Sequence, residues 1–179
     1  DQERRFLYAM PEAAPTVDTL RPVPGDERLL EIFEFDPEAR AYTGRAFKYR
    51  KDGPSAENGT SIGDLTSLGE GRFVLIERDN ALGAEAALKK LYILDLAVTD
   101  EAGIVRKNQL VDLLHISDPR DIGGDLPRIA ANEFDMPFVS VECVVRLSPT
   151  TLAVAIDTNF PGNDGRIAGT PDDTEVIEL

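Results

Sequence analysis

Apolar and polar positions in this chain form short runs that recur. A strand-like segment ends on an acidic residue at Tyr8-Ala9-Met10-Pro11-Glu12, at Phe73-Val74-Leu75-Ile76-Glu77 and at Ala153-Val154-Ala155-Ile156-Asp157. After a polar loop, each is followed by a second apolar or alternating segment: Arg28 to Phe35, Leu91 to Leu96 and Glu175 to Leu179. Two of the three are also preceded by a matching segment, Ser61 to Leu65 and Ser140 to Val144. Apolar runs and period-two runs of this length, bounded by Gly, Pro, Asn and Asp, predict β-strands.

Residues 6–12 and 28–36 predict a first strand pair across the Pro-rich loop from Ala14 to Gly25, and Gly44 to Arg50 predicts a half-exposed outer strand. The second unit is the fullest. It predicts a strand at Ile62 to Leu68, a turn at Gly69-Glu70-Gly71 and a strand at Arg72 to Glu77. A loop follows from Asp79, with one helical turn within Ala84 to Lys90, then strands at Leu91 to Leu96 and Lys107 to Leu114. The third unit restarts at Phe138, turns at Ser148-Pro149-Thr150-Thr151 and runs to Leu179. Setting Ser61 on Ser140 gives an ungapped offset of 79 that also matches Leu68 with Leu147 and Asn80 with Asn159. That register sets Glu77 against Ile156, so matching the acids needs a one-residue slip. A slip reverses side-chain facing, and a β-bulge is therefore expected in one of the two strands.

Small antiparallel units that can bury their faces only against one another predict an all-β, β-propeller-like fold. About two to three blades are expected in one partial domain, residues 1–179, at roughly 6–50, 60–114 and 138–179. The Pro/Gly-punctuated stretch 118–137 is the long connection. Asp1 to Arg5 lead straight into an apolar strand with no earlier strand for that blade. The expectation is a fragment of a larger propeller, whose remaining blades are its first partners.

Composition narrows the function. The formal net charge of −14 argues against nucleic acid, which needs clustered Lys and Arg, and is compatible with cation binding or simply with a soluble surface. No apolar run approaches the roughly 20 residues of a membrane-spanning helix. The lone Cys143 excludes an internal disulfide and is expected to pack as a small buried hydrophobe. Asn58-Gly59-Thr60 fits a glycosylation sequon, a common tripeptide.

The densest polar stretch runs from Asp157-Thr158-Asn159 through Asn163-Asp164-Gly165-Arg166 to Asp172-Asp173-Thr174-Glu175. Side-chain oxygens on a Gly-rich loop suit a hard cation such as calcium, and they equally cap turns without any metal. The spacing is not that of an EF-hand, since Pro161 and Ala168 occupy ligand positions. His115, the single histidine, has no nucleophile elbow to serve. Arg78 follows Glu77 and can pair with it or hold an anion, and no P-loop, dinucleotide fingerprint or zinc spacing is present.

Ile62-Gly63-Asp64-Leu65 with Gly69 to Asp79, and Asp157-Thr158-Asn159-Phe160-Pro161 with Gly165-Arg166 and Pro171 to Glu175, resemble the phytase-like esterase domain family. Val141-Glu142-Cys143 is similar to that family's Ile-Glu-Gly step, with Cys143 in place of glycine, and Tyr8 to Glu12 to an earlier family strand. Thr158 stands where the family often has asparagine. The resemblance implies a propeller, usually of exported bacterial proteins and so periplasmic or secreted, with phosphoesterase or esterase activity.

Two functions fit these residues. In the first, a calcium-assisted phosphoester hydrolase, Glu12, Glu77, Glu142, Asp157 and Asn159 hold the metal, while Arg78 and Arg166 bind a small anionic substrate. In the second, a propeller binds a protein ligand without catalysis and any calcium is structural. The turn at Ser148-Pro149 predicts that Glu142 and Asp157 face each other across a hairpin mouth. Their carboxylates are expected within about 8 Å, near Glu12 and Glu77.

Overall fold

The computed structural model describes residues 6–53, 59–124, 132–160, 162, 164–166, 169–171 and 174–179. Asn58 of the sequon, and Pro161, Asn163, Ala168, Asp172 and Asp173 of the polar stretch, lie outside them. The chain is all-β, in antiparallel sheets of which none closes on itself. The first sheet has the order β1 (Leu7–Ala9), β2 (Leu29–Asp36), β3 (Ala41–Arg50). The second is β4 (Ser61–Gly69), β5 (Arg72–Arg78), β6 (Lys89–Thr99), β7 (Val105–Asp112). A two-stranded ribbon, β8 (Ile116–Ser117) and β9 (Glu133–Phe134), crosses the long connection. The third sheet is β10 (Val141–Ser148), β11 (Thr151–Ile156), β12 (Val176–Glu178). Where a helical turn was expected from Ala84, a short 3-10 turn sits at Gly83–Glu85 and Lys89 has already entered β6.

The second sheet is covered on both faces, and period two decides which side chain goes where. Phe73 and Leu75 join Leu30, Ile32 and Tyr49 of the first sheet in one apolar cluster. Val74 and Ile76, one residue out of phase, join Val141, Val144, Val154 and Ile156 of the third sheet in another. Each fully buried side chain of this kind contributes about 1.5–3 kcal/mol. The outward faces of the first and third sheets keep exposed apolar residues. Leu7 and Tyr42 lie on one, with Tyr42 edge-on to Phe33 and Phe35, and Val145 and Val176 lie on the other. Cys143 is exposed, contrary to the expectation of burial, because its position in β10 faces away from the second sheet's core.

The hairpins β4–β5 and β10–β11 are one structure built twice. Ile62 pairs with Glu77 as Val141 pairs with Ile156, Asp64 with Ile76 as Cys143 with Ala155, and Gly69 with Arg72 as Ser148 with Thr151. All these pairs keep the ungapped offset of 79. A register shift falls at the same point in both, at Gly63 and at Glu142. The expected slip is therefore corrected: the bulge lies not in β5 or β11 but in both of their partners, β4 and β10, the register is common to both hairpins, and Glu77 corresponds to Ile156 rather than to Asp157. The turn of the first copy is a two-residue loop in which Glu70 and Gly71 both have positive φ, 55° and 74°, the geometry that matches the twist of the strands.

Candidate functional site

Neighbouring inner strands β4 and β10 lie side by side without a backbone ladder, and side chains make the join. The Asp64 carboxylate accepts the Val144 N–H at 2.9 Å, and the Thr66 hydroxyl donates to the Val144 carbonyl at 2.7 Å. Gly63 permits this approach, since a Cβ there would stand 2.2 Å from the Val141 carbonyl oxygen. The first sheet reaches the same place through the main chain, where Ile62 N–H donates to the Glu12 carbonyl at 2.8 Å. Three sheets thus meet around a recess of about 350 Å³ lined by Met10, Glu12, Ile62, Asp64, Leu65 and Glu142.

Arg78, at the end of β5, binds the acids of this recess together. Its Nη2 donates to Glu142 at 2.6 Å and to Glu12 at 3.1 Å, and its Nη1 donates to Asn80 at 2.6 Å. The Arg78 side chain is only 5% exposed, whereas Glu142 is 36% and Glu12 63% exposed. Among the described residues, the buried Arg78 Nε–H has no hydrogen-bond partner. An unsatisfied donor beside a charge-bearing recess is costly and calls for an acceptor.

Glu77 does not join Glu12 and Glu142. It lies one residue before Arg78 and so points to the opposite face of β5, into the interface with the first sheet. Its fully buried carboxylate accepts from the Tyr49 hydroxyl at 2.8 Å and Lys107 Nζ at 2.6 Å, and from the main-chain N–H groups of Asp52 and Gly53. Lys107 also pairs with Asp52 at 3.0 Å and stands over the Tyr49 and Tyr92 rings. Burial and the Glu77 charge push the Tyr49 hydroxyl well above the usual phenol range, and burial and Asp52 do the same for Tyr92. Burial works against the charge on Asp52, but the Tyr92 hydroxyl and Lys107 outweigh it and hold the carboxyl below its ordinary range.

Asp157 directly follows β11; its N–H donates to the Ser140 carbonyl at 2.8 Å and its exposed carboxylate accepts the Asn159 N–H at 2.8 Å. The Asn159 side chain donates to the Ser140 hydroxyl at 2.8 Å, and Asp164 caps the Gly169 N–H at 2.8 Å. These are turn-capping roles. Arg166 is likewise committed: its guanidinium bonds to Glu175, to Asp135 and to the Asp135 carbonyl, between the Phe134 and Phe138 rings. Burial alone would depress its basicity, but Glu175 and Asp135 outweigh burial and raise it. Through Asp135 and Glu175, Arg166 ties two loops together and bonds to neither Glu12 nor Glu142. His115 is exposed beside Glu133, on a different groove.

As a set, Glu12, Glu77, Glu142, Asp157 and Asn159 do not fit a calcium ion, which takes about six to eight converging oxygens. Arg78 already compensates two of them, and Glu77 faces another sheet. Among the described residues, no group of three or more His, Cys, Asp or Glu side chains stands close enough to hold a metal. Asp64 is the recess residue that sequence reasoning missed as a site residue. Its signal was a carboxylate within an apolar strand, next to a glycine.

Antiparallel sheets that meet at an acid-lined recess, beside a buried arginine, make this an all-β protein. The chain belongs to the phytase-like family described as esterase-like activity of phytase, whose model matches residues 1–160. The resemblance noted at Gly165-Arg166 and Pro171 to Glu175 falls beyond that match. Comparison with curated proteins and with solved structures gives no match. No helix among the described residues is long and apolar enough to cross a membrane.

Proposed function

We propose that these sheets are blades of a β-propeller and that the Glu12–Asp64–Glu142 recess is the ester-binding site of a phytase-like hydrolase. The observation that carries this is Arg78, a buried arginine that joins acids from two other sheets at one recess. In a chain of net charge −14, Arg78 is the group that attracts a phosphate or carboxylate. Glu142, half-exposed and held at 2.6 Å from Arg78, is placed to take a proton from an attacking water. No step runs through calcium. Export to the periplasm or outside the cell accords with the family resemblance.

The test is hydrolysis of p-nitrophenyl acetate and p-nitrophenyl phosphate by the chain and its Glu142→Gln variant, with and without chelator. Loss of a general base lowers kcat by about 10²-fold or more. Unchanged turnover in Glu142→Gln, with the fold intact by circular dichroism, overturns the assignment. Three carboxylates line the recess, two of them bonded to Arg78, and no Ser, Cys or His is among its described lining residues, which favours a second function, a non-enzymatic binding platform. Absence of turnover together with ligand-dependent thermal stabilisation identifies that function.

A further inference from the structure

We propose that Glu12 is a displaceable internal competitor for the anion subsite on Arg78, setting how tightly the recess takes a phosphate or carboxylate group. This rests on the assignment of the recess as an ester site. The two acids on Arg78 Nη2 are unequal. Glu142 is the closer, at 2.6 Å, and the more buried, whereas Glu12 is at 3.1 Å and 63% exposed. The main chain of Glu12 is pinned, since its carbonyl accepts the Ile62 N–H. Its side chain can swing out without moving a strand, which frees the Nη2 donor position that this recess-lining acid now holds. The guanidinium also carries the unpartnered, buried Nε–H. Displacing Glu12 therefore gives an incoming anion a vacated donor on a fork that already has one unused donor, the geometry in which Arg binds oxyanions through two bonds. Asp64 is not a competitor of this kind, because its carboxylate is occupied by the Val144 and Leu65 N–H groups.

A tethered carboxylate competes at an effective concentration in the millimolar range, so its removal tightens anion binding by about three- to tenfold. The experiment is calorimetric titration of inorganic phosphate into the chain and its Glu12→Ala, Glu70→Gln and Arg78→Lys variants. The expected result is tighter binding in Glu12→Ala, little change in Glu70→Gln and weaker binding in Arg78→Lys. Glu70→Gln removes the same charge at the exposed turn of the β4–β5 hairpin, so equal tightening in both variants would assign the effect to net charge and overturn the competitor role. Arg78-dependent binding that Glu12→Ala leaves unchanged overturns the competitor while the anion site stands. No binding in any variant, Glu12→Ala included, overturns both.

Discussion

Glu77 and Arg78 are neighbours on β5, and they end in opposite kinds of environment. Glu77 faces the first sheet and is closed off, with Tyr49, Lys107 and two main-chain N–H groups meeting its carboxylate. Arg78 faces the other way, keeps an unpartnered Nε–H, and is tied to two acids that solvent reaches. The same strand thus carries a bolt on one face and a responsive group on the other. Satisfied buried polar networks fix a structure, and partly satisfied ones at a recess are where a ligand finds a place. Arg166 belongs with Glu77 in this comparison, since Glu175 and Asp135 take four of its five N–H donors.

If Glu77 is the bolt, its loss should be the most damaging single change on β5. Glu77→Ala leaves Lys107 with the more exposed Asp52 as its remaining carboxylate and strips the acceptor from Tyr49. Removing one partner of a buried pair costs about 3–5 kcal/mol, and the second carboxylate on Lys107 points to the lower end. Urea denaturation measures it. A loss within experimental error of zero would erase the distinction between the two faces.

Gly63→Ala tests the recess side by steric means. The added methyl meets the Val141 carbonyl oxygen at 2.2 Å and the Ile76 side chain at 3.0 Å, and the carbonyl is main chain that cannot rotate away. Overpacking of this sort costs about 1–3 kcal/mol. It should also part β4 from β10, weakening the Asp64–Val144 and Thr66–Val144 bonds. A crystal structure of the variant with those bonds intact would show that the join tolerates the methyl.

How much of this was legible in the sequence follows from the range of each interaction. The offset of 79 was visible because a hairpin's register is a local property, written in residues close along the chain. Consecutive strand residues such as Glu77 and Arg78 point to opposite faces, whereas matching the acids by a slip puts Glu77 with Glu12 and Glu142. The shared bulge at Gly63 and Glu142 removes the need for the slip. Arg166 was beyond reach, because Asp135 lies 31 residues away across an irregular connection and nothing local announces the pairing. For Asp157 and Asn159 the sequence left both metal ligation and turn capping open, since both use the same side-chain oxygens. Their hydrogen bonds to the local main chain and to Ser140 are capping bonds.

The smallest expected effect lies at the rim of the bolt, in Asp52. Its carboxylate accepts from the Tyr92 hydroxyl and pairs with Lys107, yet its side chain is 52% exposed. Those partners hold its folded-state acidity below the ordinary carboxyl range. A group whose folded value is depressed adds stability that is present above the unfolded value, about 3.9 for Asp, and is lost as pH falls through the folded value. At neutral pH, Asp52→Asn should therefore be slightly less stable than the parent, within the ~0–1 kcal/mol of a partly exposed ion pair. As pH falls below about 4, past the unfolded value and then through the depressed folded one, the two stability curves should draw together, because the parent's carboxyl is becoming as neutral as the amide. Denaturation midpoints of both proteins between neutral pH and pH 3 measure this. A gap that stays constant across the range would mean that Asp52 acts through shape and not charge, leaving Glu77 as the only anion that fixes Lys107 between the sheets.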